Sequence, residues 1–396
     1  MNLEFYFTVR LEISLPVQPV SPEIITTPDG VRRLADRLSR EPYVACDLEA
    51  DSMHHYQEKV CLIQFAVPGF AAIVDPLAVA DMAPLAPLFA DAAICKVFHG
   101  ADYDIRSLHR DFGIEVNNLF DTMIACQFLG EREFGLAAAL KKRFGVDLDK
   151  QYQRADWSRR PLSAGMIEYA VKDTTLLIEL AGQLEAELRE KGRFGWFEEE
   201  CAILARVRVA QRSGSDPMFL RFKGASRMAP RSLAVLEEIL RFRDRRARQM
   251  DVPPFKVLGT ETVRELAEKK PRSAADFAGI TGMTERVLER CGEEILRAVE
   301  KGIALPEQEL PVFPREERRK VGGDEERRVK ALKGWREGKS RQFGVEPGFL
   351  ANNALLEQIA LSFPRSEEEL DGVAGVRSWQ RREFGAELVA ALQVRR

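Results

Sequence analysis

The sequence predicts an α/β domain built on a mixed sheet with flanking helices, followed by two small all-α domains. Three observations carry that reading. Apolar runs of strand length recur between residues 22 and 121, separated first by turns and then by stretches of helical periodicity. The C-terminal half is helical by its periodicity and repeats itself at a fixed offset of 93 residues. At 396 residues the chain is long enough for two or three domains.

The elements follow in order. Residues 1–12 carry acids within an apolar stretch, without the basic start and cleavage site of a secretion signal, and read as a short extension. Residues 22–38 read as a short strand, a turn and an amphipathic helix capped near Asp29. Tyr43-Val-Ala-Cys-Asp47-Leu-Glu49 reads as a buried strand. The runs Val60–Ala66 and Phe70–Asp75, parted by the turn signal Val67-Pro-Gly, complete an antiparallel meander with it. The pattern then changes to strand followed by helix, twice: Cys95–His99 before a helix over 101–112, and Asn118–Phe120 before a helix over 121–129. Such alternation implies parallel crossovers. Asp121 and Thr122 stand where a helix cap belongs, and capping is preferred to catalysis for them. Further helices are expected over 136–144 and 163–191.

Composition excludes several classes. With 45% apolar and 31% charged residues and no run long enough to span a bilayer, the chain reads as soluble and globular, with no membrane partner. Six widely spaced cysteines without a Cys-x-x-Cys pair read as reduced core thiols, which implies a cytoplasmic location and no zinc site. A formal net charge of −3 argues against holding nucleic acid by bulk charge, so any such binding falls to local patches.

The candidate chemistry starts at the end of the first long strand. Side chains alternate along a strand, so Asp47 and Glu49 share one face while Leu48 points to the other. Paired carboxylates there are either a solvated strand end or a seat for a hard divalent cation. Asp104 stands one turn into the helix after Phe98-His99-Gly100, and Asp102, two residues earlier, is placed to cap that helix. Tyr169 and Asp173, four apart, share one face of a later helix. The intervening segment Lys150–Leu162 is irregular, basic and aromatic; its Trp157, Arg159 and Arg160 are either packing residues or a nucleic-acid path.

In that order, Asp47-x-Glu49, Asp104 and Tyr169-x-x-x-Asp173 resemble the three motifs of the DEDD exonucleases in their tyrosine-bearing branch. Val97-Phe-His-Gly-Ala-Asp-Tyr-Asp-Ile105, Leu119-Phe-Asp-Thr122 and Asp156-Trp-Ser-Arg-Arg-Pro-Leu-Ser163 narrow the resemblance to the ribonuclease D family and its exosome-associated Rrp6 relatives. One departure is Ala50-Asp-Ser-Met-His-His-Tyr56, where bacterial members usually carry an aromatic residue and an arginine. The resemblance covers residues 22–195 and implies a ribonuclease H-like mixed five-stranded sheet. It implies two Mg²⁺ or Mn²⁺ ions held by Asp47, Glu49, Asp104 and Asp173, with Tyr169 orienting the attacking water. The expected activity is 3′→5′ hydrolysis of RNA to nucleoside 5′-monophosphates, in tRNA 3′ maturation and stable RNA processing, by a monomer. A Werner-like DNA exonuclease and an inactive RNA-binding protein are the alternatives.

The repeat pairs Phe242-Arg243 with Trp335-Arg336, Pro254 with Pro347, Pro271-Arg-Ser273 with Pro364-Arg-Ser366, and Gly282 with Gly375, without a gap. Both copies resemble the HRDC domain, placed at 229–303 and 327–396. A helical connector is expected over 196–228 and a Pro-rich, charged linker over 304–326. The first copy carries Arg241, Arg243, Arg245, Arg246 and Arg248, either a salt-bridged helix face or a phosphate-binding one. With His99, Trp157, Arg159 and Arg160, the residues Arg243 and Arg246 are the candidates for touching nucleic acid.

Overall fold

The computed structural model describes residues 21–209, 216–314 and 322–393. The expected N-terminal extension lies outside them, as do parts of the expected connector and linker.

Six strands form one sheet: β1 (Glu23–Ile25), β2 (Tyr43–Ala50), β3 (Val60–Val67), β4 (Phe70–Val74), β5 (Cys95–Phe98) and β6 (Leu119–Asp121), in the order β1-β4-β3-β2-β5-β6. The expected count of five is corrected to six. The three-residue β1 adds to the sheet by pairing parallel with β4, Ile24 against Ile73. The meander β2-β3-β4 is antiparallel, and β5 and β6 are parallel to β2 and to each other, as the turn and crossover signals require.

The nuclease-like part carries helices α1 (Pro28–Leu38), α2 (Ala86–Ala90), α3 (Asp102–Phe112), α4 (Thr122–Leu129), α5 (Leu136–Phe144), α6 (Ala164–Thr175), α7 (Leu177–Glu190) and α8 (Phe194–Leu204). The helical run expected over 163–191 is broken at Leu176 into α6 and α7. Strand alternation decides what each helix covers. Leu62, Ala71 and Ile73 pack under Met166, Ala170 and Val171 of α6, whereas Ile63, Phe65, Ala72 and Val74 enter the main core with Leu177, Leu180 and Leu184 of α7. All six cysteines are buried and free.

The repeat is structural as well as sequential. α9 (Pro230–Met250), α10 (Pro254–Val257), α11 (Thr260–Lys269) and α12 (Glu285–Ala304) are matched, each start displaced by 93 residues, by α13 (Gly323–Phe343), α14 (Pro347–Leu350), α15 (Asn353–Ser362) and α17 (Ser378–Leu392). A 3₁₀ turn at Ala274–Phe277 likewise matches α16 (Glu367–Leu370). Ser273 and Ser366 cap these equivalent elements, as the repeated Pro-Arg-Ser predicts.

The chain divides into two compact units. Described residues 21–50, 60–209 and 322–393 form one, so the second repeat packs with the nuclease-like part. The seam between them is aromatic: Trp196 of α8 stacks on Trp379 of α17 at 4.8 Å, with Phe128, Phe343 and Phe384 edge-on around the pair. Arg193 spans the seam, donating to the carbonyls of Phe128 and Phe343 at 2.7 Å each. Gly130, at the C-terminus of α4 with φ 82°, has to be glycine: a side chain there would collide with the carbonyl of Gly344. Residues 51–59 and 216–314 form the other unit, in which Tyr56 donates to Asp244 at 2.8 Å and His55 pairs with Asp251 at 2.7 Å. The departing stretch after Glu49 therefore packs on α9.

Candidate active site

The site grows out of β2. Asp47 and Glu49 leave it on the face covered by α6, and Asp173 comes down from α6 onto them. One ligand oxygen from each of Asp47, Glu49 and Asp173 lies within 4.8 Å of the others. Asp104, in the first turn of α3 and only 7% exposed, stands outside that triplet, yet its charge bears on both Asp47 and Glu49. Tyr169, one turn before Asp173, shares a hydrogen bond with it.

Packing brings Asp104 to this place. β5 ends at Phe98, Gly100 takes a positive φ of 77°, and α3 begins at once. Asp121 fixes the turn: its carboxylate accepts from the backbone N–H groups of Gly100 at 2.9 Å and Ala101 at 2.7 Å, and also caps α4 through Met123 at 2.8 Å. The capping reading of Asp121 holds. That of Asp102 is corrected, because its side chain pairs with Arg106 at 2.9 Å and makes no cap bond.

Electrostatics make the cluster avid for positive charge. Burial, then the charges of Asp104, Glu49 and Asp173, push the Asp47 carboxyl well above the usual range. Burial, followed by Asp173 and Asp104, pushes Glu49 up to about 9. Burial and then Asp121 push Asp104 up to about 7, and burial pushes Asp173 up to about 6. Burial, followed by the charge of Asp173, also raises the Tyr169 phenol, which therefore stays protonated and acts as a hydrogen-bonding group rather than a base.

These shifts carry a prediction. Each raised carboxyl binds more protons folded than unfolded, so its contribution to stability is full below its unfolded pKa and is lost as pH rises through about 6, 7 and 9. A divalent cation must displace those protons and then cancels the repulsion they mask. The rise in melting temperature on adding Mn²⁺ in place of chelator is expected to be larger at about pH 8.5 than at about pH 5.5. An equal rise at both would contradict the titration.

The structure separates the candidates for nucleic-acid contact. Trp157 is corrected to a core residue: 1% exposed, it has no face free for a base, and its ring lies 6.0 Å from that of Tyr169. Tyr152 approaches Tyr169 edge-on, also at 6.0 Å, so two aromatic side chains pack against the Tyr169 ring. Arg160 is corrected as well. Its guanidinium meets both oxygens of Asp75, at 2.6 and 2.8 Å, and donates to the carbonyls of Cys61, Trp157 and Arg159, a scaffold role. Arg159 remains 82% exposed beside Asp156. His99 is half-buried and tied through Nδ1 to the Thr122 hydroxyl at 2.8 Å.

Arg243 turns inward to the carbonyl of Leu258, as its counterpart Arg336 does to Ala351, so the repeat uses this arginine to hold its own fold. Arg241 and Arg248 pair with Glu237 and Asp244, giving the salt-bridged face. Arg246 stands half-exposed near Gln249. One residue beside the carboxylates escaped the sequence reading: Gln64, which lies directly across from Asp47 on β3. Its signal is a lone amide in an otherwise apolar strand.

Known proteins resemble this chain in sequence and in fold. A family model described as 3′-5′ exonuclease matches residues 22–189, and one described as HRDC domain matches residues 232–299 and 325–392. The ribonuclease D of Granulibacter bethesdensis is 31% identical over 381 residues, covering 93% of this chain and 92% of that one. The crystal structure of Escherichia coli RNase D, described as an exoribonuclease involved in structured RNA processing, superposes with a TM-score of 0.69 at 25% identity, over 94% of this chain and 98% of that one. The catalytic core of RRP6 from Trypanosoma brucei superposes with a TM-score of 0.63 at 32% identity, over 74% of this chain and 82% of that one.

Proposed function

Because the chain belongs to the ribonuclease D family of 3′→5′ exoribonucleases, we propose that it trims the 3′ ends of structured RNA such as tRNA precursors, releasing nucleoside 5′-monophosphates. The observation that carries this reading is the convergence of Asp47, Glu49 and Asp173 on one point, with Tyr169 bonded to the last of them. In the fuller assignment, Asp47, Glu49, Asp104 and Asp173 hold two divalent ions, Mg²⁺ or Mn²⁺. The donors fit such ions: all are hard carboxylate oxygens, Asp104 buried and the other three half-buried, mutually repelling, with no sulfur or imidazole among them. When bound, the ions supply Lewis-acid polarisation of the phosphate and a nucleophile at neutral pH.

The residues of the chain then divide the work. The four carboxylates would hold the ions that polarise the scissile phosphate. Tyr169, kept neutral by its burial and packed against the rings of Tyr152 and Trp157, donates its O–H to Asp173, which leaves its phenol oxygen to accept a hydrogen bond from the attacking water and hold it in line. Arg159 and Arg246 remain the candidate phosphate contacts in the nuclease domain (22–195) and the first HRDC domain (229–303). No helix among the described residues is long and apolar enough to cross a membrane. The six buried, free cysteines support our assignment of the protein to a reducing compartment, the cytoplasm, and we take it to act as a monomer.

This division of labour has a test. Tyr169→Phe is expected to lower kcat by about 10- to 100-fold with the Mn²⁺ dissociation constant unchanged, since orientation is lost and no ligand is removed. Calorimetric titration with Mn²⁺ alongside single-turnover kinetics checks it. A parallel loss of ion binding would make the tyrosine part of the ion site instead.

A further inference from the structure

Gln64 is the polar exception in β3, where every other residue from Val60 to Val67 is apolar. It is fully buried, and neither Oε1 nor Nε2 has a hydrogen-bond partner. A primary amide without partners is a cost that leucine or methionine would not impose, and native chains seldom carry one without a use for it. Its position shows what the use is.

The antiparallel register sets Gln64 opposite Asp47 on one side and Ile73 on the other. Directly opposed residues of neighbouring strands leave the sheet on the same face, their Cβ atoms about 4.5–5.5 Å apart. That face lies under α6, where Cys61, Leu62, Ala71, Ile73, Met166 and Val171 offer the amide apolar surroundings, and Trp157 of the same cluster carries a buried indole N–H that makes no hydrogen bond to it or to any other group. The acceptors that the register and α6 bring to this face are the carboxylates of Asp47, Glu49 and Asp173. An amide can donate to a carboxylate and accept from a water at the same time, a pairing that neither a second carboxylate nor an aliphatic side chain provides.

We propose that Gln64 is a positioning residue of the metal centre, its amide hydrogen-bonding the Asp47 carboxylate and fixing the rotamer in which that carboxylate meets a divalent ion. The proposal rests on the reading of Asp47 as an ion ligand. Residues that orient metal ligands in this way change affinity about 10- to 100-fold when removed, although they never touch the ion.

The test uses the full chain, Mn²⁺ as probe and no RNA, comparing wild type, Gln64→Met, Gln64→Leu and Asp47→Asn by calorimetric titration and by melting temperature in chelator. Gln64→Met and Gln64→Leu are expected to melt at or above the wild-type temperature without ion and to bind Mn²⁺ about 10- to 100-fold more weakly. A purely structural glutamine would give the opposite pairing, lower melting with unchanged affinity, and that result would overturn the proposal. Loss of cooperative melting in both variants would overturn it too, because an amide without partners is not what the ion-free core depends on. Wild-type affinity in Asp47→Asn would remove the ligand reading beneath it. Weak binding in Asp47→Asn with wild-type binding in Gln64→Met would remove the inference alone.

Discussion

Asp173→Asn is expected to lower kcat/KM on RNA by at least about a thousandfold while leaving the fold intact. The substitution keeps the shape of the side chain and removes its charge. Asp173 is the carboxylate that α6 brings down on Asp47 and Glu49, so the variant breaks the convergence at its closing member. An amide also cannot offset the ions' positive charge as a carboxylate does. Stability should move the other way. Burial and then Asp173 hold Glu49 up at about 9, so neutralising Asp173 relieves repulsion in the ion-free protein. Activity assays paired with melting at about pH 8 in chelator check both halves. A variant that loses activity and melts far below wild type would show that Asp173 holds the fold rather than the reaction.

Trp379→Ala is expected to destabilise the unit containing the nuclease-like part and the second repeat by about 3–5 kcal/mol. Trp379 is fully buried, stacks on Trp196, and meets Phe128 edge-on at 5.6 Å. Its indole N–H donates to Glu200 at 3.0 Å, and its backbone N–H to Glu199 at 2.9 Å, so truncation also orphans part of a polar network. A fall in melting temperature on the order of 10 °C is the expected reading, with early proteolytic cleavage near the second repeat. Wild-type melting would mean that the aromatic seam contributes little and the repeat is held elsewhere.

The sequence made some of this legible and hid the rest for physical reasons. Asp47 and Glu49 could be placed on one face because strand alternation is a local rule, and Tyr169 with Asp173 because helical spacing is one too. The repeat was legible for the same reason, since an identical local sequence recurs 93 residues on. Pairing between distant segments was not. The stretch at Glu23–Ile25 reads as a strand, yet only its pairing with β4 places it in the sheet and raises the count to six. Asp102 looked like a cap because nothing local shows that the helix already starts from Ala101, which leaves Asp102 inside the first turn with its carboxylate paired to Arg106. Trp157 and Arg160 looked like a nucleic-acid path by composition, and burial against Tyr169 and Asp75 decided otherwise. Arg243 carried a usable hint: an arginine kept at Arg336 in the second copy is more readily a scaffold residue than a contact peculiar to one surface.

The central claim is that the carboxylates and Tyr169 remove nucleotides from the 3′ end of RNA, and the length of a 5′-labelled strand reports on it most directly. Single-stranded RNA and DNA of matching sequence are incubated with the full chain and Mg²⁺ or Mn²⁺, with Asp47→Ala alongside. Stepwise shortening of the RNA from its 3′ end, ahead of the DNA and absent in the variant, is the predicted result. Equal or faster loss of the DNA, or no shortening of either strand by the wild type, would contradict it.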